Sequence, residues 1–183
     1  MLQDKKRKLS FRFLFVRYHY GMDYQAIITA PFAVLGIRCD EQALSGIDWL
    51  PATRRSQRAN NALAQNVVDQ LLQYFANPDS KFSIPLKLSG TAHQQKVWQA
   101  MLDIPRGKTR SYGELAVELS SAAQAVGQAC GANPVPIIVP CHRIVGKTGL
   151  GGFMHHASGT ALDIKRWLLA HESAIPSFTE REG

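Results

Sequence analysis

Acidic residues are scarce in this chain, cysteines are few, and no apolar run is long. The 183 residues hold 14 Asp and Glu against 21 Lys and Arg, a formal charge of +7 with a pI near 9.5. That balance fits an acidic partner such as nucleic acid. The excess is not spread evenly. Lys5, Lys6, Arg7, Lys8, Arg12 and Arg17 are opposed only by Asp4, so residues 1–20 carry +5 and the rest only +2. Charge by itself therefore says little about the body of the chain. Cys39, Cys130 and Cys141 make an odd count with no CxxC pair, which favours reduced thiols in a reducing compartment and excludes the usual structural zinc site. No apolar stretch approaches the roughly 20 residues needed to span a bilayer, and the N-terminus lacks a clean apolar segment with a cleavage site. A soluble cytoplasmic protein is expected.

Residues 1–22 read as a flexible extension, or as the result of a start placed too early, because Met22 directly precedes the first orderly pattern. That pattern, YQAIITAPFAVLGIRCD, predicts two strands joined at Ala30-Pro31. Leu63, Val67, Leu71 and Phe75 recur every four residues and predict one face of a helix over 60–75, stopped by Asn77-Pro78 and lying on a small sheet. The loop NPDSKFSIPLKLSG marks the boundary between an α/β unit, 23–88, and a mainly helical unit, 89–175; residues 176–183 form a tail.

The second unit is punctuated by caps. Thr91 and Gln94 have the form of a capping box opening a helix that holds Val97, Trp98, Met101 and Leu102. Ser111 and Glu114 form a second, opening a helix to about Leu119. Ser121 and Gln124 suggest a third, for a short helix ending at Gly131. Two short helices separated by Ser120-Ser121 have the outline of a helix-turn-helix. A last helix over 160–171, with Leu162, Trp167, Leu168 and Leu169 as its apolar face, places Glu172 at its end.

The stretch NPVPIIVPCHRIVG carries the chemistry. Ile137, Ile138 and Val139 predict a buried strand fenced by Pro134, Pro136 and Pro140, which delivers Cys141 and His142 together. A cysteine attacks as the thiolate, and a nearby imidazole supplies that form near neutrality. Adjacent strand residues point to opposite faces, so a water or a turn must bridge the two. Glu172 is the carboxylate available to orient the imidazole. The bland alternative is an inert buried thiol. Other matches fail: Gly107-Lys108-Thr109 and Gly146-Lys147-Thr148 lack the upstream glycine of a phosphate loop, having Leu102 and Cys141 there, and His155-His156 has no second ligand group.

PCHRIV, preceded by GANPVPIIV and followed by GLGGF and IKRWLLAHE, resembles the O6-alkylguanine-DNA alkyltransferases, the methylated-DNA–protein-cysteine methyltransferases. The likeness covers most of residues 24–172. It implies a ribonuclease-H-like small sheet plus helix, followed by a mainly helical domain with the helix-turn-helix. It also implies single-turnover transfer of an alkyl group from O6-alkylguanine to Cys141 after base flipping, with O4-alkylthymine as a further candidate substrate. Within that resemblance His142 is the base working through water, Glu172 orients it, Asn133 joins the same network, and Tyr112 crowds the phosphate and donates toward the leaving guanine. DNA contacts are implied for Ser111, Tyr112, Ala123, Gln124, Ala125 and Gly127, and a base pocket for Ile144, Gly151, Gly152, Phe153 and Met154. Arg143 is a structural hydrogen-bonder. The partner is alkylated double-stranded DNA; no cofactor, metal or membrane is expected, and the protein is expected to be a monomer. Departures are Gln124 where relatives carry an intercalating arginine, and Phe153 where tyrosine is common. Two competing readings remain: a cysteine hydrolase built on Cys141, His142 and Glu172, and a non-catalytic damage-recognition module, against which the presence of the cysteine speaks.

Overall fold

In a computed structural model of the chain, residues 23–153 and 160–174 are described. The N-terminal part is a three-stranded antiparallel sheet in the order β1 (Ala26–Thr29), β2 (Val34–Cys39), β3 (Leu44–Leu50). The first two strands lie on either side of Ala30-Pro31, as expected. The third, LSGIDWL, gave no clear signal, since Gly46 and Asp48 interrupt its apolar pattern. Its register explains both: an added Cβ at Gly46 would collide with the Arg38 guanidinium, and Asp48 pairs with that guanidinium at 2.6 Å.

Helix α1 (Ala62–Ala76) packs on the sheet and is capped by the Asn61 side chain, which accepts from the Ala64 amide at 2.7 Å. Its buried face is Ala64, Val67, Leu71 and Tyr74. Leu63 and Phe75, expected on that face, are half-buried instead. The reason is the helical period: a strict spacing of four drifts around a 3.6-residue helix, so the stripe turns after Leu71 onto Tyr74.

The second part begins with α2 (Ala92–Leu102), and the Thr91–Gln94 capping box is present in both directions. A two-residue strand β4 (Arg110–Ser111) leads into α3 (Tyr112–Glu118), with the Ser111–Glu114 box likewise formed. The third expected box is absent. Helix α4 (Ala123–Gly131) starts one residue later, with Ala122 at the cap position and no side-chain hydrogen bond there. Ser120 takes a left-handed φ of 49°, which ends α3 and moves the next helix start past Ser121. Trp98 of α2 donates from its indole to the Ala129 carbonyl at 2.8 Å, which fixes α4 against the core.

The run Ile137-Ile138-Val139 is buried, but it is a turn and not a strand. The Val139 amide donates to the Val135 carbonyl at 2.9 Å, and Ile137 has a φ of +77°. Pro134, Pro136 and Pro140 have no N–H to give to a ladder, so the segment cannot extend a sheet. A β-branched residue at positive φ is a strained arrangement that only surrounding packing sustains, and Ile137 is 1% exposed. The chain then enters a 3-10 turn, Cys141–Arg143, followed by β5 (Ile144–Val145), which pairs in parallel with β4. Helix α5 (Thr160–His171) closes the fold. Among the described residues no helix is long and apolar enough to cross a membrane, and no cluster of three His, Cys, Asp or Glu could hold a metal.

Candidate active site

The 3-10 turn replaces the expected strand end, and this changes how Cys141 and His142 relate. Cys141 donates its amide to the Val139 carbonyl at 2.9 Å and is 6% exposed; His142 is fully buried. The thiol lines a cavity of about 310 Å³ whose other walls are Tyr112, Ala123, Gly127, Cys130, Gly131, Gly152 and Phe153. That volume lies at the small end of the range of ligand pockets.

Behind the cavity lies a fully bonded carboxylate. Oε1 of Glu172 accepts from the Tyr74 hydroxyl at 2.7 Å and from Nη2 of Arg143 at 2.9 Å, and faces Nε2 of His142 at 3.0 Å. Oε2 accepts from Nε of Arg143 at 2.8 Å, while Nη1 of Arg143 donates to the Ile104 carbonyl at 2.6 Å. Burial alone would raise the Glu172 pKa, but the donors from His142 and Arg143 hold it far below the usual carboxylate range. A carboxylate can only accept, so Nε2 of His142 carries the hydrogen and Nδ1 presents its lone pair. Nδ1 is buried with no hydrogen-bond partner among the described residues. Burial pushes the His142 pKa below its ordinary value against the pull of Glu172, which keeps the ring neutral and able to accept a proton.

Burial likewise pushes the Cys141 thiol up, and three influences oppose it: the Asn133 side chain, the charge of Lys165 and backbone N–H groups of the 3-10 turn. Asn133 is itself fixed, donating to the Val139 carbonyl at 2.7 Å and accepting from the Val135 amide at 3.0 Å. Tyr112 stands across the cavity and donates to the Gly152 carbonyl at 3.0 Å. Gly151, at a φ of +68°, lets the loop pass this ring: an added Cβ would sit 2.7 Å from Cε2 of Tyr112. Phe153 packs edge-on to Trp49 of β3 at 6.2 Å, so the sheet supports this wall.

The other residues singled out in the sequence are spread about this centre. Ala123 and Gln124 are exposed at the start of α4, and Ala125 and Gly127 half-buried along it. Ser111 caps α3. Ile144 is buried in β5 but does not line the cavity. Met154 and the His155-His156 pair lie outside the described residues.

Lys165, which lies in IKRWLLAHE but was given no role there, is fully buried. Its ammonium donates to the carbonyls of Ile144, Leu150 and Gly152 at 2.6, 2.6 and 3.0 Å, and lies 5.9 Å over the Tyr112 ring. Burial lowers its pKa to about 8. The available signal was a lysine on the apolar face of α5, in line with Ala161 and Leu168. Cys130 was likewise unexpected in the cavity wall; burial first, then the nearby Cys141, raises its pKa to about 12.

Two family models match in succession. Residues 24–88 match the ribonuclease-like domain of 6-O-methylguanine DNA methyltransferase, and residues 92–174 its DNA binding domain. The methylated-DNA–protein-cysteine methyltransferase of Mycobacterium bovis is 39% identical over 84% of this chain and 94% of its own length. That of Mycobacterium leprae is 50% identical over 107 residues, 57% of this chain and 60% of that one. The crystal structure of Mycobacterium tuberculosis OGT in complex with DNA superposes with a TM-score of 0.69 at 40% identity, covering 80% of this chain and 91% of the other. A buried cysteine facing a cavity beside a helix-turn-helix, two successive domain matches and relatives alike over nearly their whole length lead to one assignment: the chain belongs to the 6-O-methylguanine DNA methyltransferase family.

Proposed function

We propose that the protein repairs alkylated duplex DNA by moving the alkyl group from O6 of guanine irreversibly to Cys141, once per molecule. The observation that carries this reading is that the thiol and the start of α4 line the same cavity, so nucleophile and DNA-facing helix share one opening. A stacked base cannot present its O6 substituent to a thiol, so the damaged nucleotide turns out of the duplex into the cavity. The thiol proton passes through a water to Nδ1 of His142, whose Nε2–H is held by Glu172. The thiolate attacks the alkyl carbon in line: the S–C bond forms, the C–O bond breaks, and the electron pair goes to O6 of guanine. The Tyr112 hydroxyl, turning from the Gly152 carbonyl, donates a hydrogen bond to the leaving guanine, which takes its proton from water. Burial, reinforced by Cys130 and Cys141, holds that hydroxyl protonated well above its ordinary pKa, as a donor requires. The charge of Lys165, held on the Ile144 and Gly152 carbonyls, favours the thiolate. Rigid aim matters because sulfur, carbon and oxygen must line up, and the proline-fenced turn around Ile137 supplies it.

The protein acts as a monomer on double-stranded DNA in this reading, and O4-alkylthymine is a second substrate small enough for the same cavity. The test is mass spectrometry after mixing the protein with a duplex carrying one O6-methylguanine. One methylene gained on the Cys141 peptide, saturating at one per protein, is the expected result. Turnover on a small ester without protein modification would instead favour hydrolysis.

Gln124 is exposed in the first turn of α4 and makes no capping bond there, which frees it to enter the gap left by the flipped base. It lacks the charge and reach of a guanidinium. Gln124→Arg is therefore expected to raise the rate of methyl transfer from duplex DNA by roughly two- to tenfold, the net worth of about one ordinary hydrogen bond, in a single-turnover assay. An unchanged rate would count against a role for this position in flipping.

A further inference from the structure

Tyr74 lies on α1, in the N-terminal part of the fold, yet its hydroxyl donates to Oε1 of Glu172 at 2.7 Å across 98 residues of sequence. The accepting oxygen is the one that faces Nε2 of His142 at 3.0 Å. Tyr74 is gripped a second time by the preceding residue: Nε2 of His171 donates to its backbone carbonyl at 2.7 Å, and the two rings meet edge-on at 5.2 Å. The His171 ring stacks in turn on Trp167, with centroids 4.7 Å apart and 16° between planes. Consecutive residues at the end of α5 thus hold both ends of one tyrosine, which is 2% exposed.

We propose that Tyr74 is a positioning residue for alkyl transfer, through which the N-terminal part of the fold sets the orientation and basicity of the carboxylate that holds His142. This rests on the reading of His142 as the proton acceptor. Oε1 serves three donors, from Tyr74, His142 and Arg143. Each draws on the same negative charge, so removing the phenol leaves more of it facing the imidazole and favours imidazolium. The other charged groups acting electrostatically on this network are Arg143 and Lys165 on His142, Lys165 on Cys141, and Arg143 and Arg106 on Tyr74. The Tyr74 hydroxyl is pushed far above its ordinary pKa, by burial and then by Glu172, so it remains a donor throughout the working range.

The test is single-turnover methyl transfer from an O6-methylguanine duplex, followed from about pH 5 to about pH 9, a range that spans imidazole titration. Tyr74→Phe keeps the ring and removes only the donor. The expected result is transfer about tenfold slower near neutrality, with the acid limb moved to higher pH by about half a unit and DNA affinity unchanged. Replacing tyrosine by 3-fluorotyrosine, which strengthens the donor without disturbing packing, should move the limb the opposite way. Uniform slowing at every pH, or opposite variants giving no opposite shifts, overturns the proposal while leaving His142 as the base. A wild-type rate independent of pH overturns the base assignment and this inference together.

Discussion

Cys141→Ser is expected to abolish methyl transfer, lowering the rate by on the order of a millionfold as when an enzyme loses its nucleophile, while duplex DNA still binds with wild-type affinity. The hydroxyl matches the thiol in position but is a far weaker nucleophile, because its anion is scarcely populated near neutrality. His142, Glu172, Asn133 and the 3-10 turn stay in place, so the loss reports the sulfur alone. Quantifying the methylated peptide decides the point. Cys130 lines the same cavity, and a variant that still gained a methylene there would show that the cavity, not one aimed thiol, does the chemistry. The expected answer is none: the Cys130 thiol donates to the Met101 sulfur at 3.7 Å and, unlike Cys141, has no histidine next to it in the chain to take its proton.

Glu172→Gln has the second large effect, and it falls on stability. The carboxylate is 1% exposed and takes both nitrogens of an Arg143 fork, the His142 ring and the Tyr74 hydroxyl. Removing its charge leaves the Arg143 guanidinium uncompensated, at a cost of about 3–5 kcal/mol, which for a chain of this size lowers Tm by on the order of 10 °C. The pH dependence follows from the depressed carboxyl. Its folded pKa lies below its unfolded value, so its contribution is fully present above about pH 4.3 and is lost as pH falls toward the folded pKa. Denaturant melts of wild type and variant between neutrality and about pH 3 should therefore converge on the acid side. Parallel curves would mean that shape, not charge, holds this corner of the fold.

Glu172 also shows where sequence patterns stop. Its place at the end of the last helix was legible, because a helix end follows from local periodicity. The resemblance marked Arg143, two residues after the cysteine, as a structural hydrogen-bonder, but not its partners. Tyr74 and Glu172 are separated by 98 residues, and no local rule links a residue on the sheet-packing helix to the last residues of the C-terminal domain. The same limit hid Phe153 against Trp49, and Lys165 under the loop it ties to β5. At Ser121 the local rule was itself outweighed: a serine and a glutamine at capping spacing do not cap, because Ser120 turns left-handed and Ala122 takes the cap position.

By itself the sequence determined the small sheet with its helix, the helical second half, the capping boxes at Thr91 and Ser111, and the Cys141-His142 pair as the candidate for the chemistry. These depend on short-range periodicity, on side chains bonding their own helix ends, and on a motif in which cysteine and histidine are neighbours. Only the tertiary structure decided that the apolar run before Cys141 is a turn, that His142 faces Glu172 with one nitrogen and leaves the other for a proton, and that the N-terminal part of the fold reaches the carboxylate through Tyr74. The physical reason is common to all three. Each is settled by which buried polar groups find partners, and in a folded chain those partners come from wherever packing brings them.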